Sequence, residues 1–169
     1  KVLIIRFSSM GDIIFTTAAV EALKNQHPNC EIHFLTLRDY APILEGQLHI
    51  SRLILLERNA GFRRLMELAG KLDDENYSHV FDLHDSLRSG IIRLCMNSHC
   101  SVYKKPRLNR FLLFYFKWNR FPPNFEVTKE YVNFMGLQEG ALTQLYISVK
   151  EKERCSSLLD HFGVAPHFL

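Results

Sequence analysis

Two short polar loops hold the residues with the most chemical capacity. The first, "SSMGD" at 8–12, follows the apolar run "VLII" and Arg6, and carries Ser8, Ser9, Gly11 and Asp12. The second, "HDSLR" at 84–88, follows "VFDL" and carries His84, Asp85, Ser86 and Arg88. Asp12 stands where a helix-like run begins. One reading of it is structural: Asp is a preferred helix N-cap, worth about 1 kcal/mol there. Gly11 then supplies a tight turn or a close backbone approach. The other reading is chemical: a carboxylate aimed into a crevice takes the proton of an attacking hydroxyl. A helix N-terminus lowers the carboxyl pKa and weakens the base, yet the hydroxyl acidifies as it attacks, so the transfer comes late. The second loop also has two readings. Either Asp85 or Ser86 caps a helix and His84 is a surface residue, or His84 and Arg88 face the same crevice as Asp12. An Arg in the first turn of a helix opposes the dipole, which a ligand or carboxylate offsets. Spacing alone assigns no Ser/His/Asp relay.

The elements that must hold these loops alternate between strand and helix. Residues 2–6 read as a strand buried on both faces, because the apolar run is continuous. Residues 31–36 alternate like a half-buried strand, and 51–56, 78–83, 100–104 and 145–149 read as further strands. Helices are predicted over 12–25, 40–44, 61–73, 86–97, 107–118, 126–136 and 151–162, with Gly136 and Gly163 closing the last two. Helical spacing puts Phe62, Leu65, Met66, Leu68 and Leu72 on one buried face and Leu87, Ile91, Leu94 and Cys95 on another. The alternation predicts an α/β, Rossmann-like, mostly parallel sheet with helices on both faces, one domain over 1–169. Its interior is expected to hold Leu3, Ile4, Ile5, Phe34, Leu53, Leu55, Val80 and Phe81. Ligands of such sheets bind beyond the carboxyl ends of the strands, where both polar loops fall. The first loop has a single glycine, so it is neither a G-x-G-x-x-G fingerprint nor a Walker A loop.

With 169 residues, 47% of them hydrophobic and 23% charged, the chain has the composition of an ordinary globular domain. No apolar run approaches the roughly 20 residues of a transmembrane helix, and no secretory leader pattern opens the sequence. Cys30, Cys95, Cys100 and Cys155 form no CxxC pair and no zinc-type cluster. No metal or cofactor is expected, and reduced cytosolic thiols are.

The net charge of +3 is unevenly spread. Residues 86–120 hold Arg88, Arg93, Lys104, Lys105, Arg107, Arg110, Lys117 and Arg120 and no acid, while the rest carries 13 basic and 18 acidic residues. Such polarity points to an anionic partner at one place on the surface. On a helical wheel Leu108, Phe111, Leu112, Tyr115 and Trp118 share one face. Arg110, Lys117 and Arg120 lie opposite, beside Leu113 and Phe114. Two readings stand: a core-packed helix with a solvated charged side, or a surface that, with Lys104, Lys105 and Arg107, holds an acidic ligand against an anionic membrane. Arg63 and Arg64 form a second basic pair.

The string "RFSSMGD" and, after a long interval, "DLHDSLRS" together resemble the two landmarks of the heptosyltransferases of glycosyltransferase family nine. The resemblance extends over about residues 1–105. It implies the N-terminal half of an inverting GT-B enzyme with no metal in the chemical step. This half would receive the lipid-linked anionic sugar acceptor of the lipopolysaccharide inner core, and a second domain outside this chain would bind ADP-heptose. The acidic residue of the first loop is that family's candidate base and maps onto Asp12. Ser8, Ser9, Gly11, His84 and Arg88 would line the acceptor site. Arg63, Arg64, Lys104, Lys105 and Arg107 would meet its acidic groups. A cytoplasmic protein, peripheral on the inner face of the membrane and inactive as this chain alone, is implied. One departure is Asp85, where the family usually has glycine. From the residues alone, a non-catalytic doubly wound nucleotide- or sugar-binding module remains the alternative. A nucleic-acid partner is not expected, since no RNA- or DNA-reading motif accompanies the basic block.

Overall fold

The computed structural model describes residues 1–138 and 140–162. Its strands are β1 (Val2–Ile5), β2 (Ile32–Leu37), β3 (Arg52–Leu56), β4 (His79–Asp82) and β5 (Cys100–Val102). They form one five-stranded sheet in the order β3-β2-β1-β4-β5, and every neighbouring pair is parallel. The helices are α1 (Met10–Gln26), α2 (Ala41–Leu44), α3 (Phe62–Asp73), α4 (Leu87–Leu94), α5 (Arg107–Phe116), α6 (Val127–Phe134) and α7 (Val149–His161). A 3-10 turn over Arg38–Tyr40 leads into α2. The expected α/β Rossmann-like architecture is therefore present.

Successive residues of a strand point to opposite faces, and both faces are covered. Val2, Ile4, Ile32 and Phe34 pack under α1 and α6 through Ile13, Val20, Tyr131 and Val132. Leu3, Ile5, Leu35 and Val80 pack under α3 and α4 through Leu65, Ala69, Leu72 and Ile92. That double cover is why all six residues of β2 are buried, where alternation suggested half. Its His33 is accommodated by hydrogen bonds to the Tyr77 hydroxyl (2.7 Å) and the Glu31 carboxylate (2.9 Å). Leu53 and Leu55 are only partly buried because β3 is an edge strand, and Phe81 is likewise half-covered.

Four expectations are corrected. Residues 145–149 do not form a strand: 141–148 run as an irregular strap over α1 and the loop after α2. Thr17 Oγ1 accepts from Gln144 N (2.9 Å), Gln47 Nε2 donates to Gln144 O (2.9 Å), and Tyr146 lies on Gly46. That course keeps the strap away from the sheet. Helix α4 buries Ser89 and Ile92, not Leu87 and Leu94, which are 89% and 88% exposed; its eight residues touch the sheet along a stripe one position away from the expected one. On α3, Leu65, Ala69 and Leu72 are buried while Phe62 and Met66 face solvent. The core-packed reading of α5 fails, since none of its residues is buried.

Gly136 closes α6 as expected. It has φ +70°, its N–H donates to Asn133 O (2.9 Å), and Leu137 N donates to Val132 O (3.1 Å), the two bonds of a Schellman motif. The proposed closure at Gly163 lies outside the described residues. The four thiols are free, with Cys95 at the end of α4 and Cys100 opening β5. Among the described residues no helix is long and apolar enough to cross a membrane.

Candidate functional site

The strand order reverses direction between β1 and β4, so the loops after these two strands diverge to opposite sides and leave a crevice. These are the two polar loops of the sequence. In the first, the helix begins two residues earlier than predicted. Ser9 is the N-cap of α1 and Asp12 is the third helical residue. Asp12 is thus not the cap. It is the returning half of a capping box, with Oδ2 3.4 Å from the Ser9 N–H and 3.3 Å from the Ser9 hydroxyl. Nor is Gly11 a turn residue: it is the second residue of α1, and a Cβ there would meet nothing within 4 Å.

Sequence reasoning missed the group that organises the site. Arg6 is fully buried at the end of β1. Its Nη2 pairs with Asp12 Oδ2, and its Nη1 donates to the Leu83 carbonyl in the second loop. Its guanidinium carbon lies 5.6 Å from the centroid of the Tyr131 ring on α6, a cation–π distance. A single guanidinium therefore ties both loops and α6 together. A charge ending an otherwise apolar strand was the available signal. Tyr131, 125 residues away, offered none.

These charges set the protonation states. Burial pushes the Asp12 carboxyl up, but the Arg6 charge, the Ser9 N–H, Lys105 and the Ser9 hydroxyl together hold it below the usual carboxylate range. Asp12 is ionised at neutral pH. His84 is pushed down to about 4, first by burial, then by Lys105 and Arg6, so its ring is neutral. It packs edge-on against Phe7, with centroids 5.3 Å apart. Lys105 is itself lowered, chiefly by burial and by Arg6.

The second loop is shaped by Asp82, which is fully buried. Its Oδ1 accepts the backbone N–H groups of His84 (2.9 Å) and Asp85 (3.0 Å), and its Oδ2 meets Arg93 Nε at 2.8 Å. Ser86 caps α4: its Oγ accepts from Ser89 N (3.2 Å), and Ser89 Oγ accepts from Ser86 N (2.9 Å). Asp85 sits at φ +52°, in the left-handed region that glycine enters freely and Asp tolerates. Its carboxylate lies 3.4 Å from Lys104 Nζ and 3.5 Å from Arg107 Nη2, and Arg107 also donates to its carbonyl (2.7 Å).

Ser8, His84 and Arg88 line one crevice of about 380 Å³, whose walls also include Phe7, Arg58 and Ser86, but contrary to expectation it is not shared with Asp12. Arg88 has no ion-pair partner among the described residues. Asp12 is not on that wall; it reaches the second loop through Arg6. Lys104 and Arg107 are gathered on Asp85, and Lys105 acts on Asp12. Arg63 and Arg64 are not brought to the crevice: they pair with Glu67 on their own helix (3.2 and 3.3 Å). Among the described residues no cluster of three or more His, Cys, Asp or Glu side chains could hold a metal ion.

No family model matches the sequence, and no curated protein does. Solved structures do. A family 9 glycosyl transferase from Veillonella parvula superposes with a TM-score of 0.72 at 18% identity, over 97% of this chain and 50% of that one. The E. coli ADP-heptose LPS heptosyltransferase II gives 0.68 at 19% identity, over 98% of this chain and 51% of that one. An E. coli heptosyltransferase solved with ADP-2-deoxy-2-fluoro heptose gives 0.62 at 17% identity, over 82% of this chain and 49% of that one. The chain spans about half the length of the solved structures it matches. At these identities the shared property is the fold.

Proposed function

We propose that this chain is the N-terminal, acceptor-binding half of an inverting GT-B glycosyltransferase of the heptosyltransferase type. The observation that carries the reading is the Arg6–Asp12 pair at the β1/β4 switch point. An ionised carboxylate is held by a buried guanidinium that also bonds the second loop, whose neutral His84 and unpaired Arg88 line a neighbouring crevice. In the proposed reaction an acceptor hydroxyl oxygen attacks the anomeric carbon of heptose in ADP-heptose. The bond from that carbon to the diphosphate oxygen breaks, ADP leaves with the electron pair, and Asp12 takes the hydroxyl proton. Its lowered pKa suits a transfer that is completed late, once the hydroxyl has acidified. Gly11, with open space beside it, lets the acceptor approach the backbone. Ser8, Ser9 and Arg88 would orient the acceptor, and Lys105, Lys104 and Arg107 would meet its anionic groups, with Asp85 holding the latter two until it binds. Donor binding and support of the leaving diphosphate belong to a second domain outside these residues. The acceptor is lipid-linked, so the protein works from the cytoplasm at the inner face of a membrane.

The test is sugar transfer by the protein containing both halves, with ADP-heptose and inner-core acceptor. Asp12→Asn, assayed well below its own melting temperature, is expected to slow turnover by a factor of about 10² or more. Near-normal turnover would refute Asp12 as the base. Transfer by the 169-residue chain alone at the same rate would refute the half-enzyme reading.

A further inference from the structure

Helix α5 and the residues after it make an apolar surface with no cover among the described residues. Phe114, Tyr115, Phe116 and Trp118 are 71%, 66%, 59% and 65% exposed. The rings pack on one another rather than on the core: Phe111 lies 4.7 Å from Tyr115, and Phe116 lies 6.2 Å from Trp118, centroid to centroid. The helix stops at Lys117, whose φ of +59° turns the chain and leaves Trp118 beside Phe116. Arg110, Lys117 and Arg120 are interleaved with these rings and have no ion-pair partner among the described residues. Lys117 Nζ lies 6.0 Å from the Phe114 centroid.

We infer that α5 lies in the headgroup layer of an anionic lipid surface, with its aromatic side chains inserted and Arg110, Lys117 and Arg120 on the lipid phosphates. Charge decides the occupant. A protein partner covering this patch would strip water from three unpaired cations and would have to supply a matching acid for each. An anionic bilayer instead neutralises each cation at its surface while taking the rings between the headgroups. Tyr and Trp favour that layer, having an apolar body and a polar edge. The absence of any acid from 86 to 120 leaves nothing in the segment to repel such a surface. The inference rests on the transferase reading only for its setting, a lipid-linked acceptor; the docking itself is measured without sugar transfer, so the two fail separately.

Trp118 is the sole tryptophan of the 169 residues and reports directly. Its emission is expected to shift to the blue on adding phosphatidylcholine vesicles containing about one quarter phosphatidylglycerol, and not with phosphatidylcholine alone. Binding should weaken at least tenfold as salt rises from about 0.01 to 0.15 M, over which the screening length falls from about 30 to 8 Å. Arg110→Glu/Lys117→Glu/Arg120→Glu should lose at least about 10²-fold in vesicle affinity, about fivefold for each cation removed, with the added carboxylates weakening it further. Phe111→Ser/Phe114→Ser should lose the blue shift. Both variants should melt like the parent, because the altered side chains are exposed. An unmoved Trp118 spectrum with anionic vesicles overturns the inference. So does unchanged affinity in the charge-reversed variant. A lipid-free protein that is dimeric with Trp118 already blue-shifted also overturns it, since a second copy then covers α5.

Discussion

Replacing Asp12 by Asn removes one charge from a pair whose other member, Arg6, has no access to water. Removing one partner of a buried pair costs about 3–5 kcal/mol, because the remaining charge stays desolvated. Two features pull the expectation to the lower end. The Asp12 side chain is 18% exposed, so some water reaches the site, and Arg6 keeps the Leu83 carbonyl and the Tyr131 ring. The capping-box contacts are long, and Asn retains an acceptor for them, so they add little. A loss of about 3 kcal/mol, at about 2–4 °C per kcal/mol for a chain of this size, lowers the melting temperature by about 6–12 °C. Thermal unfolding followed by circular dichroism at neutral pH is the assay. Arg6→Met/Asp12→Asn, which removes both charges, should melt above Asp12→Asn alone. The pH dependence has a definite sign. The folded pKa of Asp12 is lowered, so its stabilisation is complete above the unfolded value of about 3.9 and is lost as pH falls through the folded one. The gap between parent and Asp12→Asn should therefore be full at pH 7 and close below about pH 4. A single variant melting within about 2 °C of the parent, or a double variant less stable than the single, would refute the buried-pair argument.

Two further outcomes follow from the second loop. His84 is held neutral with a pKa near 4 when folded, against 6.5 free, so the unfolded chain binds the extra proton between those values. Stability should fall as pH drops from about 6.5 to 4, by at most about 1.4 kcal/mol per pH unit, and His84→Gln should flatten that slope in chemical-denaturation midpoints; an unchanged slope would mean that the ring is solvated. At Asp85, glycine relieves the left-handed backbone while giving up exposed contacts worth about 0–1 kcal/mol, so Asp85→Gly should melt close to the parent. Asp85→Val should lose about 1–2 kcal/mol, and equal melts for the two would show that the backbone conformation is not what selects the residue.

The sequence made the sheet legible because parallel strands buried on both faces are written as largely apolar runs: "VLII" is unbroken, and "VFDL" is interrupted only by Asp82. The two polar loops were legible for the same reason, since each interrupts such a run. What stayed hidden depended on partners far away in the chain. Arg6 looks like the end of a strand until Leu83 and Tyr131 are brought to it. The buried face of α4 differs from the one its leucines suggest, because a helix of only eight residues can be turned by its cap and by the ion pair of Arg93 with Asp82. The apolar period of 107–118 was read correctly as helical, but periodicity does not say what the apolar side faces. "LYISV" has strand composition and becomes a strap, because its neighbours are Thr17 and Gln47 rather than an open sheet edge.

The Arg6–Leu83 bond also bears on the order in which the chain folds. Its partners are 77 residues apart, and Tyr131 comes still later in the chain. During synthesis β1 emerges with a guanidinium at its end before Leu83 and Tyr131 have been made. Its closest eventual partner, Asp12, is local, but a two-residue ion pair cannot keep water out. Dehydrating Arg6 before β4 docks beside β1 would leave a charge stranded in an apolar layer. Loop closure must therefore come first and burial second. On this account β1 enters the sheet from its apolar end, and the end bearing the site closes last, when residues 83 and 131 have both arrived.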